Sequence, residues 1–140
     1  MRILFSHFLV ACAGLATHAS CFAYDCNDSD LYQNGQHELA LVRQTNSAQL
    51  ARAVEFVQKA KGVDLNAALQ EVMQTAGSPS QTRIYDDQLN ELGAKIKEAK
   101  HDSPQACEEL LKLQRQHAHV GQEKIGFIVK LVTGEDSAAR

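Results

Sequence analysis

The sequence is poor in the features that most directly announce a function. Lys and Arg number 14 against 17 Asp and Glu, a net charge of −3. With that negative charge spread along the chain, no basic patch is available to follow a phosphate backbone, and nucleic acid is not an expected partner. After the first two dozen residues no apolar run approaches the ~20 residues that a membrane-spanning helix requires. Proline occurs only twice, at Pro79 and Pro104, and no internal repeat or low-complexity linker divides the chain, so one domain is expected. There are four cysteines but no CxxC and no cysteine–histidine cluster, which argues against structural zinc, and no CxxCH for covalent haem. HExxH, the two Glu-x-x-His motifs that di-iron bundles combine and the GxSxG elbow are all missing. The glycines stand apart instead of forming a phosphate-cradling loop. These absences lead to the expectation of a protein that is not an enzyme and needs no cofactor.

What is present begins at the amino terminus. Met1-Arg2 gives a short positive start, and Ile3 to Ala16 is almost wholly apolar, broken only by Ser6, His7 and Gly14. The run is long enough for the apolar region of a secretory signal and too short for a permanent membrane helix. Cys21-Phe22-Ala23 then places small residues where signal peptidase reads them, and polar Tyr24-Asp25-Cys26-Asn27 follows. The expectation is a signal peptide over residues 1–23, cleaved after Ala23, with Ala19 as second choice. Lipidation is the weaker reading, because too little apolar chain precedes Cys12 and His18-Ala19-Ser20 before Cys21 lacks a large aliphatic residue. The expected location is therefore the periplasm or the medium. Loss of Arg2 leaves 13 basic against 17 acidic residues, about −4 for the mature chain.

The rest reads as helix. Asp28-Ser29-Asp30 offers acceptors to a first turn, and Leu31, Gly35, Leu39 and Val42 recur at helical spacing. Thr45-Asn46-Ser47 groups three residues that favour caps, which predicts a break and a second helix from about Ala48 carrying Leu50, Ala53, Val54 and Val57. Lys59, Lys61 and then Gly62 suit a helix end. Asp64 opens a short helix with Leu65, Ala68, Leu69, Val72 and Met73, closed by Gly77. Ser78-Pro79-Ser80-Gln81 resembles a capping box and begins a helix with Ile84, Tyr85, Leu89, Leu92, Ile96 and Ala99 on one stripe. Ser103-Pro104 repeats the start signal. Cys107, Leu110, Leu111, Leu113, Ala118, Val120, Gly121, Ile125, Ile128 and Val132 continue to a stop at Gly134. The β-branched stretch Ile125 to Val132 could read as a strand, but it would have no partner strand to bond with. The fold class expected is all-α: a small antiparallel bundle of about five helical segments over residues 24–134, with a disordered tail at 135–140.

Signal removal would leave Cys26 and Cys107, and two cysteines in an oxidising compartment predict one disulfide. That bridge bears on the helix count. Cys26 precedes the first helix and Cys107 lies near the start of the last. If every helix crosses the bundle, the two starts share an end only when the last helix is the fifth, which favours the break at residues 45–47.

Candidate functional residues are sparse. His117 and His119 diverge by about 200° on a helix and cannot share a metal. His119 and Glu123 have ligand spacing, but such pairs are common on charged helices. Asp86-Asp87 could be a carboxylate pair, yet adjacent helical positions diverge. The apolar run Phe127-Ile128-Val129-Lys130-Leu131-Val132 has more hydrophobic residues than one helix face needs. At least one of Phe127, Val129 and Leu131 is therefore expected on an exposed, partner-binding patch. The functional expectation is an exported helical protein that binds another protein, of the inhibitor, immunity, chaperone or secretion-accessory type. The alternative is a carrier of a small molecule, haem or a metal, with His37, His117 or His119 as polar contacts in a pocket between helices.

Overall fold

The computed structural model describes residues 24–134; the expected signal peptide at 1–23 and the tail at 135–140 lie outside the described residues. A short 3-10 turn at Cys26–Asp28 leads into four α-helices: α1, Asp30–Lys61; α2, Leu65–Ala76; α3, Pro79–Glu98; and α4, Pro104–Thr133. Among the described residues there is no strand, and Ile125–Val132 is helical as expected.

Most helix ends follow from local chemistry. Ser29, Asp64 and Ser103 each accept a hydrogen bond from a first-turn amide, that of Tyr32, Ala67 and Ala106 respectively. Gly62 and Gly134 close α1 and α4 at φ 64° and 75°, a left-handed conformation that a side chain would strain. The expected capping box at Ser78 does not form, since Ser78 makes no side-chain cap bond. Pro79 simply occupies the first helical position, and the Thr82 hydroxyl oxygen lies 3.0 Å from the Ser78 carbonyl.

The expected break at residues 45–47 is also absent, so the described chain has four α-helices instead of five. The Thr45 hydroxyl donates to the Leu41 carbonyl and the Ser47 hydroxyl to the Arg43 carbonyl, each at 3.0 Å. Both polar groups are thus satisfied one turn back without leaving the helix. A 32-residue α1 also has α4, 30 residues long, beside it. Packing along that length outweighs the few tenths of a kcal/mol by which Thr, Asn and Ser disfavour helix.

Contacts define the directions. Gly35 meets Leu111, Gln36 bonds Gln114 and Glu38 pairs with Arg115, so partner numbers rise together and α1 runs parallel to α4. Asp86 binds Lys124, whereas Lys95 lines a surface cleft with Leu113, so α3 runs antiparallel to α4. Helix α4 is central, packing on each of the other three, while α1 and α3 barely touch one another. The 12 residues of α2 span only ~18 Å. Its first residues adjoin the end of α1 and its last adjoin the start of α3, both at the level of the final turns of α4. It is a cross-piece and not a traverse.

The cross-piece overturns the topological argument for five helices. Cys26 and Cys107 lie at bonding distance, with Cα atoms 5.5 Å apart across a separation of 81 residues. Four helices allow this because α2 does not carry the chain from one end to the other. Helix α1 ascends, α3 descends and α4 ascends, which returns Cys107 to the end where Cys26 begins. Both cysteines are buried there with Leu39, Leu110 and Leu111. A second core lies at the far end, where Ala53, Val54 and Val57 of α1 meet Ala68 and Val72 of α2 and Ile128 of α4.

Candidate functional site

Because α1 and α3 flank α4 without closing on each other, a trough runs between them. Its top is covered by α2, whose buried Ala68 and Val72 sit over the α4 face that carries Ile128. Below α2 the trough is open and contains a cavity of about 300 Å³. Helix α1 supplies one wall with Gln36, Leu39, Val42, Arg43 and Asn46; α4 supplies the floor with Gln114, His117, Ala118 and Gly121; and Ile96 reaches in from α3. Positions 114, 117, 118 and 121 are three, four and seven apart, so a single helix face presents them all. His117 also borders a neighbouring recess along α3, lined by Leu89, Gly93 and Lys97 among others.

Amide hydrogen bonds stiffen the lower wall. The Gln36 amide donates to Gln114 Oε1 at 2.6 Å, and the Gln114 amide reaches the Tyr32 hydroxyl at 3.4 Å. Asn46 Oδ1 is buried without a hydrogen-bond partner. Arg43 makes no ion pair among the described residues, whereas Arg115, the residue after Gln114 on α4, is engaged by Glu38 at 2.6 Å.

The histidines separate as their spacing requires. His117 is half-buried in the trough, His119 is exposed and lies 3.4 Å from Glu123, and His37 is exposed on α1. No group of three or more His, Cys, Asp or Glu side chains placed to hold a metal occurs among the described residues. The adjacent aspartates diverge likewise. Asp87 faces Arg83 at 3.6 Å on the surface, while Asp86 accepts from Lys124 at 2.6 Å and from buried Thr82 at 2.7 Å. The Lys124 hydrogen bond, and after it that of Thr82, hold the Asp86 carboxyl below its ordinary value of 3.8. A general acid needs the opposite shift, so this arrangement ties α3 to α4 and offers no protonated carboxyl for catalysis.

Each expected partner-binding residue is partly buried. Phe127 lies against Tyr85 with ring centroids 5.7 Å apart, Val129 packs on the far-end core, and Leu131 is half-buried. The barest large apolar side chains are elsewhere. On α2, Leu65, Leu69 and Met73 are 58%, 48% and 61% exposed, although their spacing places them in one row. The apolar sector of α2 spans about 140° by its residue spacing, and a cross-piece contacts its neighbours over less than that. Ile84 is bare for a related reason: Tyr85, Leu89, Leu92 and Ile96 form the face toward α4, and Ile84 lies about 100° away from it.

Among the described residues no helix is long and apolar enough to cross a membrane. Comparison of the chain with known protein families, characterised proteins and solved structures finds no match.

Proposed function

We propose that this is an exported, non-enzymatic protein that acts by binding another protein, and that α2 presents the contact. The observation that carries this reading is the row Leu65, Leu69 and Met73, with about half or more of each side chain bare on a helix whose adjoining face, Ala68 and Val72, is core. A contiguous apolar row of this kind is costly to leave in water and is the usual centre of a protein interface. Its methionine suits an adaptable contact. The partly buried Phe127, Val129 and Leu131 support it from the same end of the bundle. Export is supported by the apolar leader and by the Cys26–Cys107 pair, which an oxidising compartment preserves.

The test pairs one substitution on the bare row with one in the core. Leu69→Glu should leave the melting temperature within about 2 °C, since surface changes of this kind alter stability by less than ~0.5 kcal/mol. It should also remove whatever protein co-purifies with the wild type from native envelope extract. Val72→Glu, one turn face away and buried, should unfold the protein. If Leu69→Glu retains the same co-purifying protein at the same yield, α2 is not the contact. If sedimentation shows that the wild type self-associates and Leu69→Glu does not, the partner is a second copy of this chain.

A further inference from the structure

The cavity in the trough is bordered by a cation, Arg43, and by no carboxylate. The chain carries more acid than base; among the described residues Lys61, Arg83, Lys95, Lys112, Arg115 and Lys124 each have a carboxylate beside them, while Arg52, Lys59, Lys97, Lys100 and Lys130 do not. Arg43 has none among the described residues, and no aspartate or glutamate lines the cavity it borders. The floor offers His117, a second nitrogen donor. The amides of Gln36, Asn46 and Gln114 also line it, and the rest is hydrocarbon from Leu39, Val42, Ile96 and Ala118, with Gly121 leaving room above the floor. A few polar groups set in a largely apolar concavity are the pattern of a small-molecule site. The fork of a single guanidinium matches a planar carboxylate in two parallel hydrogen bonds.

We propose that this cavity binds a small organic acid, its carboxylate received by Arg43 and His117 and its hydrocarbon body by Leu39, Val42, Ile96 and Ala118. At about 300 Å³ the space equals roughly ten water volumes, so the ligand has on the order of ten non-hydrogen atoms. The site is separate from the outer row of α2, which faces away from the trough's open part, and either can fail without the other.

The experiment is a titration of the purified protein with three probes that share one hydrocarbon body: 3-phenylpropionate, 3-phenylpropanol and 3-phenylpropylamine. Binding is read by calorimetry and by amide chemical shifts at Gly121 and Ile96. The acid should bind at millimolar concentration or better, the alcohol on the order of ten times more weakly, and the amine not at all. Arg43→Gln, on an exposed position that does not support the core, should bring the acid down to the affinity of the alcohol and leave the alcohol unchanged. Gly121→Leu, which fills the space above the floor, should abolish both. Equal affinity for acid and alcohol would overturn the proposal, as would an undiminished affinity for the acid in Arg43→Gln. So would the absence of any shift at Gly121 and Ile96 with the acid at about 10 mM, a concentration at which a ligand of this size registers in a formed site.

Discussion

Four glycines lie inside helices: Gly35 in α1, Gly93 in α3, and Gly121 and Gly126 in α4. A helical glycine costs roughly 0.8–1 kcal/mol relative to alanine. At Gly93 and Gly126 an added Cβ would meet nothing within 4 Å. Gly93→Ala and Gly126→Ala should therefore each stabilise by about that amount, some 4 °C in melting temperature for a domain of this size. At Gly35 the same Cβ would overlap the side chain of Leu111, which is itself 2% exposed and one turn from the disulfide. Overpacking of this kind costs about 1–3 kcal/mol. Gly35→Ala should accordingly fall about 1–3 kcal/mol below the two control substitutions and end neutral or destabilised. A double-mutant cycle locates the cause. Leu111→Ala alone should cost roughly 2–5 kcal/mol, but in that background the overlap is gone and Gly35→Ala should stabilise like the controls. Thermal unfolding by circular dichroism on the wild type and the five variants supplies every term. The close parallel packing of α1 on α4 is refuted if Gly35→Ala stabilises as much as Gly93→Ala, or if its penalty persists once Leu111 is shortened.

Closing a loop with an 81-residue separation is worth about 4–5 kcal/mol in the chain-entropy description. Cys107→Ser should thus lower the melting temperature markedly, and non-reducing peptide mapping should recover Cys26 linked to Cys107. Asp86 titrates below its ordinary value in the folded protein, so its bonds to Lys124 and Thr82 contribute stability above pH 3.8 that is lost as pH falls through the lowered value. The stability gap between wild type and Asp86→Asn should be full at pH 7 and shrink below pH 4; a gap independent of pH would show that the charge plays no part. Mass spectrometry of the exported protein should place the amino terminus at Tyr24, with Ser20 the other acceptable start, and an intact Met1 would remove the basis for export.

Much of the helical layout is written within single turns of the sequence. Ser29, Asp64 and Ser103 bond amides three residues on, and Gly62 and Gly134 turn the chain at the other ends. These are local interactions, so their residues disclose them without knowledge of the fold. The alternation of Ala53, Val54 and Val57, and of Cys107, Leu110 and Leu111, likewise marked true core positions. His117 was among the residues singled out, but not its place: spacing shows which side chains share a face and is silent on what that face meets.

The tertiary structure decided the remainder. Thr45-Asn46-Ser47 has the composition of a helix boundary, yet a neighbouring helix running parallel along its whole length makes continuation the lower free energy, and the hydroxyls turn back to their own carbonyls. The sequence shows α2 to be short, but only the packing makes it a cross-piece between α1 and α3. That one fact brings the cysteines together with four helices, leaves Leu65, Leu69 and Met73 bare, and opens the trough beneath. Caps and periodicity act over a turn or two of chain. Which helix lies beside which is set by contacts between residues some 75 positions apart, and no local pattern encodes those.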